Sequence, residues 1–204
     1  MDGLTGVREN LLQLCSRFGG SEAQVLGDRV DQFVEFSQLI EPRDVGTPQS
    51  RIEVIALVDC LCEIYTQVTP QERSDIRQQV ASNKEVLKWV YRYSGLAVHK
   101  LLATKDGTWL QRSLVGISIV DQRTDIREYY LRLTTIYVMA AQVGIEAKPY
   151  FIEASRLSSD LQQNPMSRES TKKLLSNFHT MSIFKTEVQP RLAQLHNNTG
   201  LSQT

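Results

Sequence analysis

Residues 47–68 read TPQSRIEVIALVDCLCEIYTQV, and this stretch decides the fold. Thr47 before Pro48 is typical of a helix start, because a threonine oxygen caps the first turn and proline lacks an N–H that would have no partner there. The β-branched residues would also suit a strand, but a run of about 20 residues without other strand-like segments to pair with favours a helix. Apolar side chains cover most of its circumference, so we expect this helix at the centre of its packing layer, with a polar strip of Glu53, Asp59 and Glu63.

Helical patterns flank this stretch on both sides. Before it, apolar residues recur at three- and four-residue spacings over residues 4–18, and Gly19-Gly20 stop that helix. Ser21 then opens a second helix, which ends before Pro42. After the central stretch, capping signals and apolar periodicity predict three further helices, over residues 70–81, 82–103 and 109–120.

The remainder of the chain is also helical in pattern. Thr124 or Asp125 starts the clearest amphipathic helix, which Gly144 closes. A shorter helix is expected over residues 147–157, and one or two more over residues 168–195. The polar stretch between these last segments indicates a hinge.

Nine or ten helices joined by short loops predict an all-α protein, either a multi-helix antiparallel bundle or an irregular HEAT-like stack of helix pairs. The Thr-Pro starts at Thr47 and Thr69 are 22 residues apart, which is shorter than a HEAT period of about 40 to 47 residues, so the sequence shows no clean repeat. We expect one helical domain over residues 1–195, with the hinge near residues 158–167, and a disordered tail over residues 196–204.

Composition excludes several classes of protein. The 204 residues include 23 Lys and Arg against 23 Asp and Glu, which argues against nucleic-acid binding, because that function depends on excess positive charge. The longest apolar stretches, such as Val54 to Val58, are about five residues, far below the roughly 20 needed to cross a bilayer. The first six residues lack the features of a signal peptide, so we expect a cytoplasmic location and no membrane partner.

Cysteines, histidines and short motifs indicate neither a metal site nor a cofactor. Cys60 and Cys62 point to different faces of one helix, which is typical of reduced, buried thiols. None of the three histidines stands at a metal-ligand spacing, and glycine-rich phosphate loops are missing from the sequence. Asp121 and Asp125 beside two arginines would suit a cation or acid–base chemistry, but they are equally explained as a turn residue and an N-cap. The sequence therefore favours a non-catalytic role.

Charge is divided unevenly along the chain. Residues 1–83 contain seven basic and thirteen acidic side chains, whereas residues 84–204 contain sixteen basic and ten acidic ones. Such asymmetry can steer an oppositely charged partner or draw two copies together. Docking of acidic against basic helices within one monomer is the alternative.

The candidate partner-binding residues lie in the basic half. Lys84, Lys88 and Arg92 follow one another at four-residue spacing, and His99 lies seven residues further on, so all four share one helix face. This face is extended by three arginines if the next two helices lie alongside, namely Arg112, Arg123 and Arg127. A solvated face without a partner is the alternative interpretation.

Two segments carry a resemblance to known proteins. The stretch from Trp109-Leu110-Gln111-Arg112 through Asp121, followed by Asp125 to Tyr150 with Gly144-Ile145, resembles a segment of uncharacterised bacterial all-helical proteins. It covers about a quarter of the chain. The resemblance implies a HEAT-like or bundle fold and brings no catalytic residues with it.

These observations favour a non-catalytic interaction module or scaffold that binds a protein, or a second copy of itself, through a helix face or groove. The alternative is a helical bundle that binds a small anionic ligand, or an enzyme, in a pocket. That pocket would be lined by Trp89, Trp109 and the tyrosines, with Arg112, Arg123 or Arg127 for the anionic group.

Overall fold

A computed structural model describes residues 3–19, 26–34 and 46–120, together with residues 136, 139, 140 and 143–145. These residues form six helices and no strand, which confirms the all-α class. The helices are α1 (Thr5–Gly19), α2 (Leu26–Asp31), α3 (Pro48–Gln67), α4 (Pro70–Ser82), α5 (Lys84–Thr104) and α6 (Gly107–Ile119).

Several predictions fall on other parts of the chain. The acidic turn at residues 121–125, the helices after residue 146, the hinge near residues 158–167 and the tail over residues 196–204 all lie outside the described residues. Gly144 is described and lies in a turn with φ of +76°, in agreement with a helix end at this position.

The chain divides into two compact units. The first contains residues 1–96 and 119–121, and the second contains residues 97–118 and 122–204. Helix α5 therefore contributes its first part to one unit and its last turns to the other. The prediction of a single domain over residues 1–195 stays a prediction.

Helix α3 is the core of the first unit. The oxygen of Thr47 accepts a hydrogen bond from the Ser50 amide at 3.1 Å, and Pro48 occupies the first turn, as the sequence indicated. Thirteen of its twenty residues are buried, and the run Val54–Val58 is fully enclosed. Both α1 and α2 pack against α3.

The polar strip of α3 pairs with the neighbouring helices. The Arg8 guanidinium of α1 lies 3.3 Å from the Glu53 carboxylate. Arg29 of α2 pairs with both Asp59 and Glu63. The three acidic residues that interrupt the apolar run are thus the points at which α1 and α2 attach by charge.

The contact between α1 and α3 explains the glycine at the end of α1. A Cβ atom at Gly19 would overlap Cδ1 of Ile64 and lie 2.6 Å from its Cγ1. Ile64 is itself buried, so it has little room to move. The sequence attributes Gly19 to a helix stop, whereas the structure shows that close packing against α3 also requires a residue without a side chain.

Short capping motifs connect α3, α4 and α5. Thr69 and Glu72 form a capping box at the start of α4, in which the Glu72 carboxylate accepts the Thr69 amide at 2.8 Å. At the start of α5 the cap is Asn83 and not Ser82 as predicted, because the Asn83 oxygen accepts from the amides of Glu85 and Val86 at 3.2 Å. The correction moves that helix start by one residue.

The described part of the second unit contains the end of α5 and most of α6. Their buried residues include Ala97, Leu101, Leu110, Leu114 and Ile117. Lys105 joins the two helices with a φ of +54°, a left-handed conformation that a lysine adopts at some energetic cost. Its amide donates to the Leu101 carbonyl at 2.8 Å, which closes the end of α5.

Candidate functional site

The predicted basic face is present on the first part of α5. Lys84 and Lys88 are exposed, and neither forms an ion pair with any residue that the structure describes. Arg92 follows one turn later and is half-buried. Because four residues of helix rise by about 6 Å, the three positions form a row about 12 Å long.

Arg92 is held in place by an aromatic ring. Its guanidinium carbon lies 4.6 Å from the centre of the Trp89 ring, and Trp89 is buried. This cation–π contact fixes the head group while leaving its charge at the edge of the row. The basic face, which we define as Lys84, Lys88 and Arg92, thus combines two exposed lysines with one arginine positioned by a tryptophan.

The same arrangement recurs in the second unit. The Arg112 guanidinium lies 4.4 Å from the centre of the Trp109 ring, and the Lys100 ammonium lies 4.7 Å from it. Each of the two tryptophans of the chain is therefore in contact with the arginine that follows it three residues later in the same helix. The sequence signal is the pattern Trp-x-x-Arg, since residues three apart meet on one helix face.

The other predicted partner-binding residues have different surroundings. His99 is half-buried, and burial lowers its pKa to about 4, so it is neutral at pH 7 and adds no positive charge. His99 and Arg112 belong to the second unit, whereas Lys84, Lys88 and Arg92 belong to the first. Arg123 and Arg127 lie outside the described residues.

Acidic residues are scarce around these cations in the sequence. Residues 84–120 contain six Lys and Arg but only two acidic residues, Glu85 and Asp106. Both stand at helix starts, where carboxylates oppose the positive end of the helix dipole. Asp106 accepts the Thr108 amide at 2.9 Å, and this hydrogen bond lowers its pKa. Both carboxylates of this region therefore lie at the start of a helix, and that of Asp106 accepts a capping hydrogen bond.

A buried charge network in the first unit was not foreseen from the sequence. Arg29 donates through Nη1 to Oδ2 of Asp59 at 2.7 Å and through Nη2 to Glu63. The Tyr93 hydroxyl donates to Oδ1 of Asp59 at 2.5 Å. The Asp59 side chain is 3% exposed and that of Arg29 is 13% exposed. The network joins α2, α3 and α5 at one carboxylate.

The electrostatics of this network favour the charged pair. Burial lowers the pKa of Arg29, but its hydrogen bonds with Glu63 and Asp59 outweigh that effect and raise the pKa above its usual value. Arg29 stands 30 residues from Asp59, so no local spacing predicts the contact. The sequence signal that could have indicated a partner is Asp59 itself, a carboxylate inside an apolar helix, because a buried charge requires a partner.

A polar cleft of about 150 Å³ lies elsewhere in the first unit. It is lined on one side by α1 and on the other by the junction of α4 and α5, with polar contributions from Asn10, Gln13, Arg17, Gln79, Ser82 and Asn83. Neither tryptophan lines it, so it is not the aromatic pocket of the alternative hypothesis. The tyrosines Tyr129 and Tyr130 and the arginines at 123 and 127 lie outside the described residues, and that pocket stays a prediction.

The three cysteines are buried, as predicted, and none of them forms a disulfide bond. The Cys15 thiol donates to the Leu57 carbonyl at 3.7 Å. Its hydrogen bond with Cys60 and its burial raise the pKa of Cys15 well above the usual range, which disfavours the reactive thiolate. Across the described ranges, no three His, Cys, Asp or Glu residues are grouped so that they would hold a metal ion.

Comparisons with known proteins give no relative. No family model, no curated protein and no solved structure matches the chain. The resemblance to bacterial all-helical proteins therefore stays a prediction. None of the helices in the described part of the chain is long and apolar enough to cross a membrane.

Proposed function

We propose that the protein is a non-catalytic interaction module that binds an acidic protein partner through the basic face of α5. The observation that carries the proposal is the pair of exposed lysines, Lys84 and Lys88, without ion-pair partners among the described residues. Arg92 completes the face with a guanidinium held over Trp89.

The face suits a partner that carries carboxylates at helical spacing. An acidic helix repeats its carboxylates about every 6 Å when they are four residues apart, which equals the spacing of Lys84, Lys88 and Arg92. Each exposed ion pair contributes only about 0.2–1 kcal/mol, so three of them supply orientation and association rate more than affinity. Binding is expected to weaken as salt rises, because exposed charges are screened.

The experiment is affinity capture with the full chain as bait, at 0.05 and 0.3 M salt, with recovered proteins identified by mass spectrometry. The test variant is Lys84→Gln/Lys88→Gln. The matched control is Gln67→Glu/Gln78→Glu, which changes the net charge by the same amount at exposed positions on α3 and α4.

Support requires acidic proteins that the wild type and the control recover at low salt and that the lysine variant loses. A set of proteins unchanged by the lysine variant would contradict the proposal. Proteins whose recovery disappears after nuclease treatment would also contradict it, because the face would then bind nucleic acid.

A further inference from the structure

The polar cleft between α1 and the junction of α4 with α5 has the size and the lining of a site for a small molecule. Its volume of about 150 Å³ is comparable to that of a cavity that holds benzene, so it fits about six to ten non-hydrogen atoms. Two buried apolar side chains line it, Leu14 of α1 and Val86 of α5, and the rest of its lining is polar. Among the described residues, Arg17 is the one charged residue that lines the cleft, so its positive charge has no carboxylate there to balance it.

The guanidinium of Arg17 is available to an anion. Arg17 is exposed and forms no ion pair with any residue that the structure describes. Its guanidinium carbon lies 4.9 Å from the centre of the Phe18 ring, and this cation–π contact restrains the head group. The planar fork of a guanidinium matches the two oxygens of a carboxylate, so Arg17 supplies the charged half of a carboxylate site.

The carboxamide side chains along the cleft retain hydrogen-bonding groups for a ligand. Gln13 and Gln79 are exposed, and neither side chain is hydrogen-bonded to a residue that the structure describes. Asn83 uses its Oδ1 to accept the first amides of α5, which leaves its Nδ2 as a donor. Asn10 donates through Nδ2 to a carbonyl of its own helix at 2.8 Å, which leaves its Oδ1 as an acceptor. The cleft therefore offers both donors and acceptors beside one cation.

We infer that this cleft binds a small organic acid that carries one carboxylate, an amide and a short apolar group, as an N-acylated amino acid does. The carboxylate pairs with Arg17, and the amide exchanges hydrogen bonds with Gln13 and Gln79. The apolar group packs against Leu14 and Val86. One cation balances one carboxylate, whereas a phosphate dianion would leave excess negative charge in the cleft. The site is separate from the basic face of α5, none of whose residues lines the cleft.

The test is an NMR titration of the isotope-labelled full chain with N-acetyl-L-alanine, which carries all three groups. The control ligand is N-acetyl-L-alaninamide, which has the same size but no charge. We expect the acid to shift the side-chain amide signals of Gln13 and Gln79, with saturation below about 20 mM. The neutral amide should bind at least tenfold more weakly, because it cannot form the charge-assisted fork with Arg17. Equal binding of the acid and the amide would overturn the inference.

The test variant is Arg17→Gln, which we expect to lower the affinity for the acid at least fivefold. Arg17 is exposed, so the substitution leaves the core unchanged. The matched control is Arg8→Gln, which makes the same change of charge at an exposed position of the same helix outside the cleft. This control should bind like the wild type. Equal losses in the two variants would overturn the inference, because a general loss of positive charge would then explain both.

Three other outcomes would also overturn the inference. Shifts that rise in proportion to the acid concentration without saturating would mean that the cleft is not a binding site. Competition by inorganic phosphate at equal concentration would mean that the cleft binds anions in general. Acetylated tetra-alanine that binds at least tenfold more tightly than N-acetyl-L-alanine would mean that the cleft receives the end of a peptide chain and not a small acid.

Discussion

Gly6 and Gly19 both lie in α1, but the space available for a side chain differs between the two positions. A side chain at Gly19 would collide with Ile64, whereas nothing lies within 4 Å of a Cβ at Gly6. We expect Gly19→Ala to lower the free energy of unfolding by about 1–3 kcal/mol, the usual cost of overpacking. Gly6→Ala should raise it by up to about 1 kcal/mol, because alanine loses less backbone entropy in a helix.

Urea denaturation of both variants checks this prediction. A loss of stability at Gly6 as large as that at Gly19 would mean that the close approach of α1 to α3 is not the cause. The Ile64→Ala background provides a further control, since shortening Ile64 removes the colliding atoms and should reduce the cost of Gly19→Ala.

Asp59 makes the Tyr93 hydroxyl important for stability. The hydroxyl donates to a buried carboxylate at 2.5 Å, and hydrogen bonds to charged groups contribute about 1.5–3 kcal/mol. Tyr93→Phe keeps the ring that Phe33 contacts but removes this donor. We expect the free energy of unfolding to fall by that amount, measured by urea denaturation. A change below about 0.5 kcal/mol would show that other partners of Asp59 replace the hydroxyl.

His99 makes the stability of the folded protein depend on pH in the acidic range. Burial lowers its pKa to about 4, while in the unfolded chain it is about 6.5. Between these values the unfolded state binds more protons than the folded state, so stability falls as the pH falls from about 7 towards 4. We expect the wild type to lose about 1–3 kcal/mol more than His99→Gln over this interval. Parallel stability curves for the two proteins would contradict the prediction.

At the scale of the element, the start of α4 is set by its capping box. Thr69 accepts the Glu72 amide at 3.3 Å, and its own amide donates back to the Glu72 carboxylate, which lowers the pKa of Glu72. We expect Thr69→Ala to cost about 1 kcal/mol of unfolding free energy. Thr66→Ala, at an exposed hydroxyl within α3, should change it by less than about 0.5 kcal/mol. Thermal or urea denaturation that fails to separate the two variants would mean that the cap is not needed.

Helices α3 and α4 were predictable because their signals are local, whereas the second predicted helix, expected to continue to before Pro42, ends at Asp31. The Thr-Pro starts at Thr47 and Thr69 and the apolar periodicity place α3 and α4 within about one residue of their observed ends. Asn83 was missed as the cap of α5 because Ser82 is also a good N-cap residue and has Glu85 three residues later, as a capping box requires. Local chemistry decides that a helix starts, whereas the packed backbone decides which neighbour supplies the oxygen.

At the scale of the whole molecule, contacts between residues that are far apart in the sequence could not be predicted. The basic face of α5 was predictable from four-residue spacing, since it requires only one helix. The buried charge network was not, because Arg29, Asp59 and Tyr93 meet from three elements, and the carboxylate's burial appears only after folding. The same limit applies to Gly19, whose neighbour Ile64 is 45 residues away.

The charge asymmetry leads to a prediction about the free protein. Several acidic side chains of the first unit are engaged within it: Glu53 with Arg8, Asp59 and Glu63 with Arg29, and Glu72 in its cap. These carboxylates are therefore not available to receive the basic face of a second copy. We expect light scattering to give the mass of a monomer, 23.2 kDa, at both 0.05 and 0.3 M salt. A dimer that dissociates as salt rises would mean that Lys84 and Lys88 bind the acidic half of another copy, and Lys84→Gln/Lys88→Gln would then abolish it.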